Sequence, residues 1–184
     1  VVVKAVHNEK VIALKIRRVD ADRGTMDREA ELLKLANRVD VGPAFIKSSK
    51  NFLLMGLAAG VNIFTFMRAV NNNAEVSNVI SEVLEQCYRL DSTGLDHGEL
   101  SYMRRHVIVE DKITIIDFES ASLNRRVSNV TAATQYLFIG GAVAKKVRKL
   151  FKISSVDAII SSLKKYKNDV SKENLEQLKQ TINL

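Results

Sequence analysis

The sequence predicts an α+β fold made of two unlike parts, and three observations carry that expectation. The first third alternates short β-branched runs with turn residues around one inserted helix, and the remainder is dominated by helical periodicity. One apolar hairpin interrupts the helices and ends in the acids of "IDFES". With 184 residues, the chain can bury one sizeable core or two small lobes, but not two ordinary independent domains. Its composition, 46% hydrophobic and 27% charged, is that of a globular chain. No apolar run is long enough to cross a bilayer, because "AATQYLFIGGAVAKKV" is short and broken by Gln135 and two glycines. The expectation is a cytoplasmic protein with no membrane partner. A single cysteine, Cys87, excludes an intramolecular disulfide and a cysteine-based zinc site. The formal charge of +7 favours acidic partners such as nucleotides, RNA or anionic surfaces. The chain opens on Val1 in strand-like sequence, so native residues are expected to precede it.

Taken in order, residues 1–6 and 11–16 are β-branched runs separated by the turn-like His7-Asn8-Glu9-Lys10, which predicts a hairpin. Alternation in the second run puts Val11, Ala13 and Lys15 on one face and the bulkier Ile12, Leu14 and Ile16 on the other. A helix is expected over about 26–37, capped near Gly24-Thr25 and ended by residues 39–43. At 100° per residue, Glu29 falls among Leu32, Leu33 and Ala36, in the middle of the apolar stripe. A carboxylate there is costly unless it is paired, so it calls for a cation inside the protein; the alternative is that it snorkels to water. Residues 45–47 and 51–57 form a second hairpin, ending in the small residues of "LLMGLAAG". Residues 63–90 are helical with an interruption at Asn71-Asn72-Asn73, and Gly94 stops the second helix. After the hairpin that ends at Asp117 the chain is helical again from about Thr131, and Ser171 opens a final amphipathic helix.

In this order, "ALKI", "REAELLKLA", "LLMGLAAG", "HGEL" and "IIDF" resemble the motifs of the protein-kinase fold. The likeness is to its small atypical branch, which includes the RIO kinases, the lipopolysaccharide-kinase-like group and the kinase of the tRNA threonylcarbamoylation complex, and above all to the serine/threonine protein kinases predicted in archaea. The match runs from Val1 to about Phe118. It implies a bilobal protein kinase-like fold: a sheet-rich N-lobe with one helix over 1–55, a hinge at 56–61 and a mainly helical C-lobe over 62–184. It also implies ATP and Mg²⁺ as cofactors. Lys15 would reach the α- and β-phosphates, Glu29 would pair with Lys15, and Ala13 would leave room for adenine. Met55 would stand beside the pocket while the backbone of Gly56 and Leu57 met the adenine edge. Asp117 would hold Mg²⁺, and Glu99 would occupy the position of the base that orients the acceptor hydroxyl.

The sequence departs from that pattern in three places. Glu99 stands where an aspartate is expected, and the extra methylene moves its carboxylate by about an ångström, a displacement that can cost a hundredfold in rate. The asparagine expected five residues later is replaced by Arg104, or by His106 if the following strand sets the alignment. Guanidinium cannot coordinate a metal and imidazole prefers softer ions than Mg²⁺, so Arg104, Arg105 or His106 would contact phosphate directly. Glu119 replaces the glycine after Asp-Phe and removes backbone freedom. No Gly-rich loop and no A-P-E signature is present in the sequence.

The resemblance therefore implies an ATP-dependent serine/threonine protein kinase-like phosphotransferase. The alternative is a nucleotide-binding scaffold or pseudokinase whose partner is a protein or RNA of translation or ribosome assembly. A third reading is transfer to a small-molecule or RNA hydroxyl. In the C-terminal half Lys145, Lys146, Arg148, Lys149 and Lys152, with Arg125 and Arg126, form either an RNA-facing stripe or an ordinary solvated face. Tyr136, Phe138 and Phe151 read as core.

Overall fold

The computed structural model describes residues 1–17, 25–153 and 155–184. Helices and strands mix in the α+β manner expected. Strands β1 (Val2–His7) and β2 (Lys10–Ile16) pair antiparallel, and β3 (Phe45–Ser49) and β4 (Phe52–Gly56) complete a four-stranded sheet of order β1-β2-β4-β3. The first hairpin turns on Asn8 and Glu9, with φ of 47° and 63°. Two consecutive positive φ angles give the turn whose twist matches that of the flanking strands.

Helix α1 (Asp27–Asn37) crosses between β2 and β3 and buries Glu29, Ala30, Leu32, Leu33 and Ala36. Gly24, named as part of the expected cap, lies outside the described residues. Met26 takes the N-cap position without a side-chain cap bond, and the Asp27 N–H donates to Thr25 Oγ1 at 3.4 Å. At the other end Asn37 ties the exit loop down. Its Nδ2 donates to the Val41 and Pro43 carbonyls, and its Oδ1 accepts from the Phe45 N–H at 2.7 Å.

The second part begins with the two-residue strand β5 (Val61–Asn62), which sequence reading did not anticipate. Helices α2 (Ile63–Ala69) and α3 (Asn73–Ser92) follow, and the asparagine run between them is a helix start. The Asn72 side chain accepts from the Ala74 and Glu75 N–H groups, satisfying donors that a helix terminus otherwise leaves unpaired. Gly94, at φ 75°, ends α3 as expected.

A short turn and α4 (Met103–His106) lead into β6 (Val107–Val109) and β7 (Ile113–Ile115), which join β5 in a three-stranded antiparallel sheet. Helices α5 (Asn129–Thr134), α6 (Gly141–Leu150), α7 (Val156–Asn168) and α8 (Lys172–Thr181) close the chain. The helical restart comes at Asn129, two positions before Thr131, because Asp91 captures the first backbone N–H groups of α5. Ser171 caps α8 through the Asn174 N–H, as its position predicted.

The core runs along α3, whose Ile80, Val83, Leu84, Cys87 and Leu90 are each fully buried. Cys87 is a free thiol there, its pKa pushed well up by burial and then by Asp91. Among the described residues no helix is long and apolar enough to cross a membrane.

Candidate functional site

Strand alternation sets up the site. The less bulky face of β2, carrying Ala13 and Lys15, turns inward, and both residues are buried. Register then places Val2 across from Lys15 and Met55 across from Ala13. Lys15 projects toward α1, where Nζ meets Glu29 Oε1 at 2.6 Å with both side chains under a tenth exposed. The acid on the apolar stripe of α1 is thus paired with a buried cation and does not snorkel to water.

The same ammonium reaches the far end of β7. Nζ donates to Asp117 Oδ1 at 2.7 Å and to Glu119 Oε2 at 3.1 Å. An ammonium has three donors, and all three are engaged by carboxylates. Burial alone would lower the Lys15 pKa, but the charges of Glu29 and Asp117 outweigh it and hold the group above its ordinary value. Burial pushes the Asp117 carboxyl up, and Lys15, with smaller help from His106 and the Glu119 N–H, brings it below the usual carboxylate range. Asp117 itself sits at φ 71°, ψ 75°, a left-handed conformation in which a non-glycine residue is uncommon. The apolar strand thus turns sharply on its terminal acid.

Beside Lys15 lies a cavity of about 180 Å³, whose walls include Val2, Ala13, Met55, Leu57 and Ile116 together with Lys15 and Asp117. It is smaller than the roughly 300–1,000 Å³ of typical ligand clefts. Ala13, Lys15, Met55, Gly56, Leu57 and Asp117 come together here; Val2, Pro43, Ala58 and Ile116 were not singled out from sequence. The expectation that the Gly56 backbone is open to a base edge needs one correction. Its N–H donates to the Ala44 carbonyl at 2.8 Å, so that donor is already used.

The "HGEL" loop comes up against β7. His97 is fully buried, its ring edge-on to Phe118 at 5.1 Å and to His106 at 5.3 Å. Its Nε2 donates to the Ile116 carbonyl at 3.1 Å and its Nδ1 accepts from the Glu99 N–H at 3.4 Å, the pattern of a neutral imidazole. Burial, reinforced by His106, lowers its pKa to about 4. His97 thus holds both the carbonyl just before Asp117 and the backbone of Glu99.

Glu99 and His106 stand together on the other side of Asp117. His106 Nε2 lies 3.5 Å from Glu99 Oε2, and one ligand atom from each of Glu99, His106 and Asp117 falls within 4.8 Å of the other two. Of the two residues that the sequence left open, Arg104 and His106, it is His106 that stands beside Glu99 and Asp117. Arg104 is placed elsewhere: it is exposed, with its guanidinium over the Phe64 ring at 4.7 Å.

Several supporting residues were not read from sequence. Asp96 accepts from Arg125 Nε at 3.0 Å and from the Ser128 N–H and hydroxyl, and Arg125 also donates to the Ser120 carbonyl at 2.7 Å. Gly98, at φ 88°, passes so close that a Cβ would meet Arg125 Nη2 at 2.3 Å and the Ser120 oxygen at 2.9 Å. Asp91 accepts from Asn129 N, Asn129 Nδ2, Val130 N and the Tyr166 hydroxyl. Both acids stand in "LDSTGLDHG", where local pattern reads only a helix end and a turn.

The basic stripe divides. Lys146 donates to the carbonyls of Arg68 and Val70, and Arg148 to those of Phe138 and Ile139, so both serve the ends of neighbouring helical segments. Arg125 is held by Asp96, and Arg126 donates to the Lys167 carbonyl. Lys145, Lys149 and Lys152 remain exposed, while Phe138 and Phe151 are buried.

Against this geometry the chain was compared with known proteins. It is 33% identical over 91 residues to the uncharacterized protein MJ1211 of Methanocaldococcus jannaschii, a match spanning 48% of this chain and 78% of that protein. The chain belongs to the family of that archaeal protein. No family model matches it. The name of the relative assigns no chemistry, so function is argued from the side chains.

Proposed function

We propose that the chain is an ATP-dependent phosphotransferase of the small atypical protein-kinase type, acting on serine or threonine hydroxyls. It would be bilobal, with residues 1–55 as a sheet-rich lobe, 56–61 as the hinge, 62–184 as the helical lobe, and the cytoplasm as its compartment. One observation carries the reading: Lys15 on a central strand pairs with a buried helix acid and with Asp117 at the end of an apolar strand, beside a cavity fit for an apolar ring. That trio matches what phosphoryl transfer asks of a protein, namely positioning and charge stabilisation around a polyphosphate.

In this reading adenine lies between Ala13, Met55 and Ile116, and Lys15, oriented by Glu29, binds the phosphates. Mg²⁺ at Asp117, a hard oxygen ligand, would supply charge neutralisation on those phosphates. Glu99 is exposed enough to face an acceptor hydroxyl, its side chain being 42% accessible. The test is turnover of labelled ATP by the intact protein with Mg²⁺, which Asp117→Ala should abolish. Background turnover in the unaltered protein would end the reading.

A second reading, a nucleotide-binding scaffold with a protein or RNA partner, draws support from Glu99 and His106 at the two motif positions where phosphotransferases of this type carry Asp and Asn. There, ATP raises the melting temperature while turnover stays at background. The exposed Lys145 and Lys149 of α6, with Lys152 just beyond it, are the part of the basic stripe left for an RNA contact. Transfer to a small-molecule or RNA hydroxyl differs only in the acceptor, and competition assays with free serine, peptide and RNA separate these cases.

A further inference from the structure

We infer that the surface shared by α2, α4 and α6 binds single-stranded nucleic acid, with Arg104 on Phe64 as a stacking platform for a base and Arg68, Lys145 and Lys149 as phosphate contacts. Charge is the first observation. Residues 121–156 contain seven Lys and Arg and no Asp or Glu, so the whole formal excess of +7 lies in that stretch and the rest of the chain is balanced. Helices α2 and α4 add Arg68, Arg104 and Arg105 and hold no acid either. Lys146 fastens α6 to the end of α2 through the Arg68 and Val70 carbonyls, and α2 packs against α4 as well, so the basic helices form one surface. At 100° per residue Lys149 falls between Lys145 and Lys146, which keeps the two exposed lysines on the side of α6 that meets α2.

The second observation is independent of that count. The guanidinium carbons of Arg104 and Arg68 lie over the same Phe64 ring, 4.7 and 5.6 Å from its centroid. Among the described residues neither guanidinium pairs with a carboxylate, whereas Arg89 and Arg125 do. Two like charges drawn onto one ring repel each other, and an anion beside them relieves that repulsion. Arg104 is exposed, so its planar group, oriented by the ring, stays open to solvent on its outer side. Guanidinium planes and aromatic rings are the surfaces on which unpaired bases stack. Burial raises the Tyr136 pKa and the Arg104 charge offsets part of that rise, so a second, half-buried aromatic ring lies near the platform.

Stacking sets the form of the ligand. A base inside a duplex has both faces covered by its neighbours, so a single guanidinium platform selects a strand whose bases are free. The four-residue α4 that holds Arg104 on Phe64 also holds His106 against Glu99, which puts the platform within a helical turn of that acid. The inference builds on the RNA-partner reading, to which it gives a place and a strand form, and it does not depend on phosphotransfer.

Fluorescence polarisation of the intact chain with a labelled oligouridylate of about 12 nucleotides, in the absence of ATP, tests it. Binding at low salt should weaken with a log–log salt slope of roughly −2 to −3, the value for three or four phosphate contacts on a single strand. Arg104→Lys keeps the charge and removes the planar group, so affinity should fall at least about fivefold with the slope unchanged. Arg68→Gln should make the slope shallower by about 0.7. Lys10→Gln removes an exposed charge from the hairpin of the four-stranded sheet and should leave affinity within about twofold. The oligodeoxyuridylate is the second arm: binding of either strand supports the surface, and their ratio names the sugar. No binding at low salt, equal binding of a duplex of the same charge, or the same loss in Lys10→Gln as in Arg104→Lys overturns the inference. Unchanged affinity in Arg104→Lys overturns it too, even where the oligonucleotide binds, and then the RNA-partner reading survives at another surface. ATP turnover is not read, so failure here and failure of phosphotransfer are separate results.

Discussion

The Lys15 ammonium lies 2.7 Å from Asp117 Oδ1, although 102 residues separate the two in the chain. The contact joins the central strand of the four-stranded sheet to the end of β7. It also leaves the ammonium surrounded by three carboxylates. On the proposed phosphotransfer function a ligand phosphate would have to exchange with carboxylates, which would make the acids around Lys15 determinants of affinity.

Glu119 is the acid to remove first. Its contact with Lys15 is the longest of the three at 3.1 Å, and its side chain is 42% exposed, so the pair is screened and worth at most about 1 kcal/mol. Glu119→Gln is expected to strengthen nucleotide binding by up to about fivefold, measured as the nucleotide-dependent rise in melting temperature or by calorimetry. Weaker binding in that variant would show that Glu119 supports the ligand instead of competing with it.

The neutral His97 gives the protein a definite pH response. The unfolded chain takes up a proton at this residue below about pH 6.5, but the folded protein only below about 4. Stability from this group is thus intact above 6.5 and is lost as pH falls between those values, by roughly 3 kcal/mol at pH 4. Asp117, held low by Lys15, adds a loss at still more acid pH as its carboxylate is protonated. Denaturant unfolding from pH 7 to 4 should show the slope, and His97→Gln should flatten it. An unchanged slope in that variant would place the proton uptake elsewhere.

Gly98 has no room for a methyl group. At φ 88° with backbone oxygen 2.9 Å from the position of a Cβ, Gly98→Ala is strained in its own conformation and also displaces Arg125 from Ser120. A cost of about 1–3 kcal/mol is expected, seen as a drop in melting temperature. Gly94→Ala is the comparison, since a Cβ there meets nothing within 4 Å and only the φ of 75° penalises it.

Asp91 should be the most damaging surface-distant substitution. Asp91→Ala leaves the N–H groups of Asn129 and Val130 and the Tyr166 hydroxyl without their acceptor in a buried place. Unpaired buried donors cost about 1–3 kcal/mol each, so a loss above about 3 kcal/mol is expected, with the melting temperature falling by roughly 10 °C. Thermal unfolding by circular dichroism reads it directly, and a loss under 1 kcal/mol would mean that water replaces the carboxylate.

How much was legible in the sequence depended on how local the signal was. Alternation in "VIALKI" put Ala13 and Lys15 on one face, and helical periodicity put Glu29 on the apolar stripe of α1, where it had either to meet a cation or to snorkel to water; only the resemblance named Lys15 as its partner. The asparagine run, Gly94 and Ser171 marked helix ends because caps act within one turn. The strand β5 escaped because two residues carry no period. Between Arg104 and His106 the sequence left the choice open, since it turns on how α4 joins β6, and the fold puts His106 beside Glu99 and Asp117 while Arg104 lies on Phe64.

By itself, then, the chain determined its α+β class, the faces of its strands and helices, and the place of Glu29 on an apolar stripe. Only the tertiary structure decided that Asp91 and Asp96 would bind the start of α5 and the loop after Asp117, that Glu119 would join Glu29 and Asp117 at Lys15, and that Lys146 and Arg148 would cap neighbouring segments. The physical reason is range. Periodicity and capping are settled within a few residues, whereas a hydrogen bond between groups tens of residues apart exists only once packing has brought them within reach.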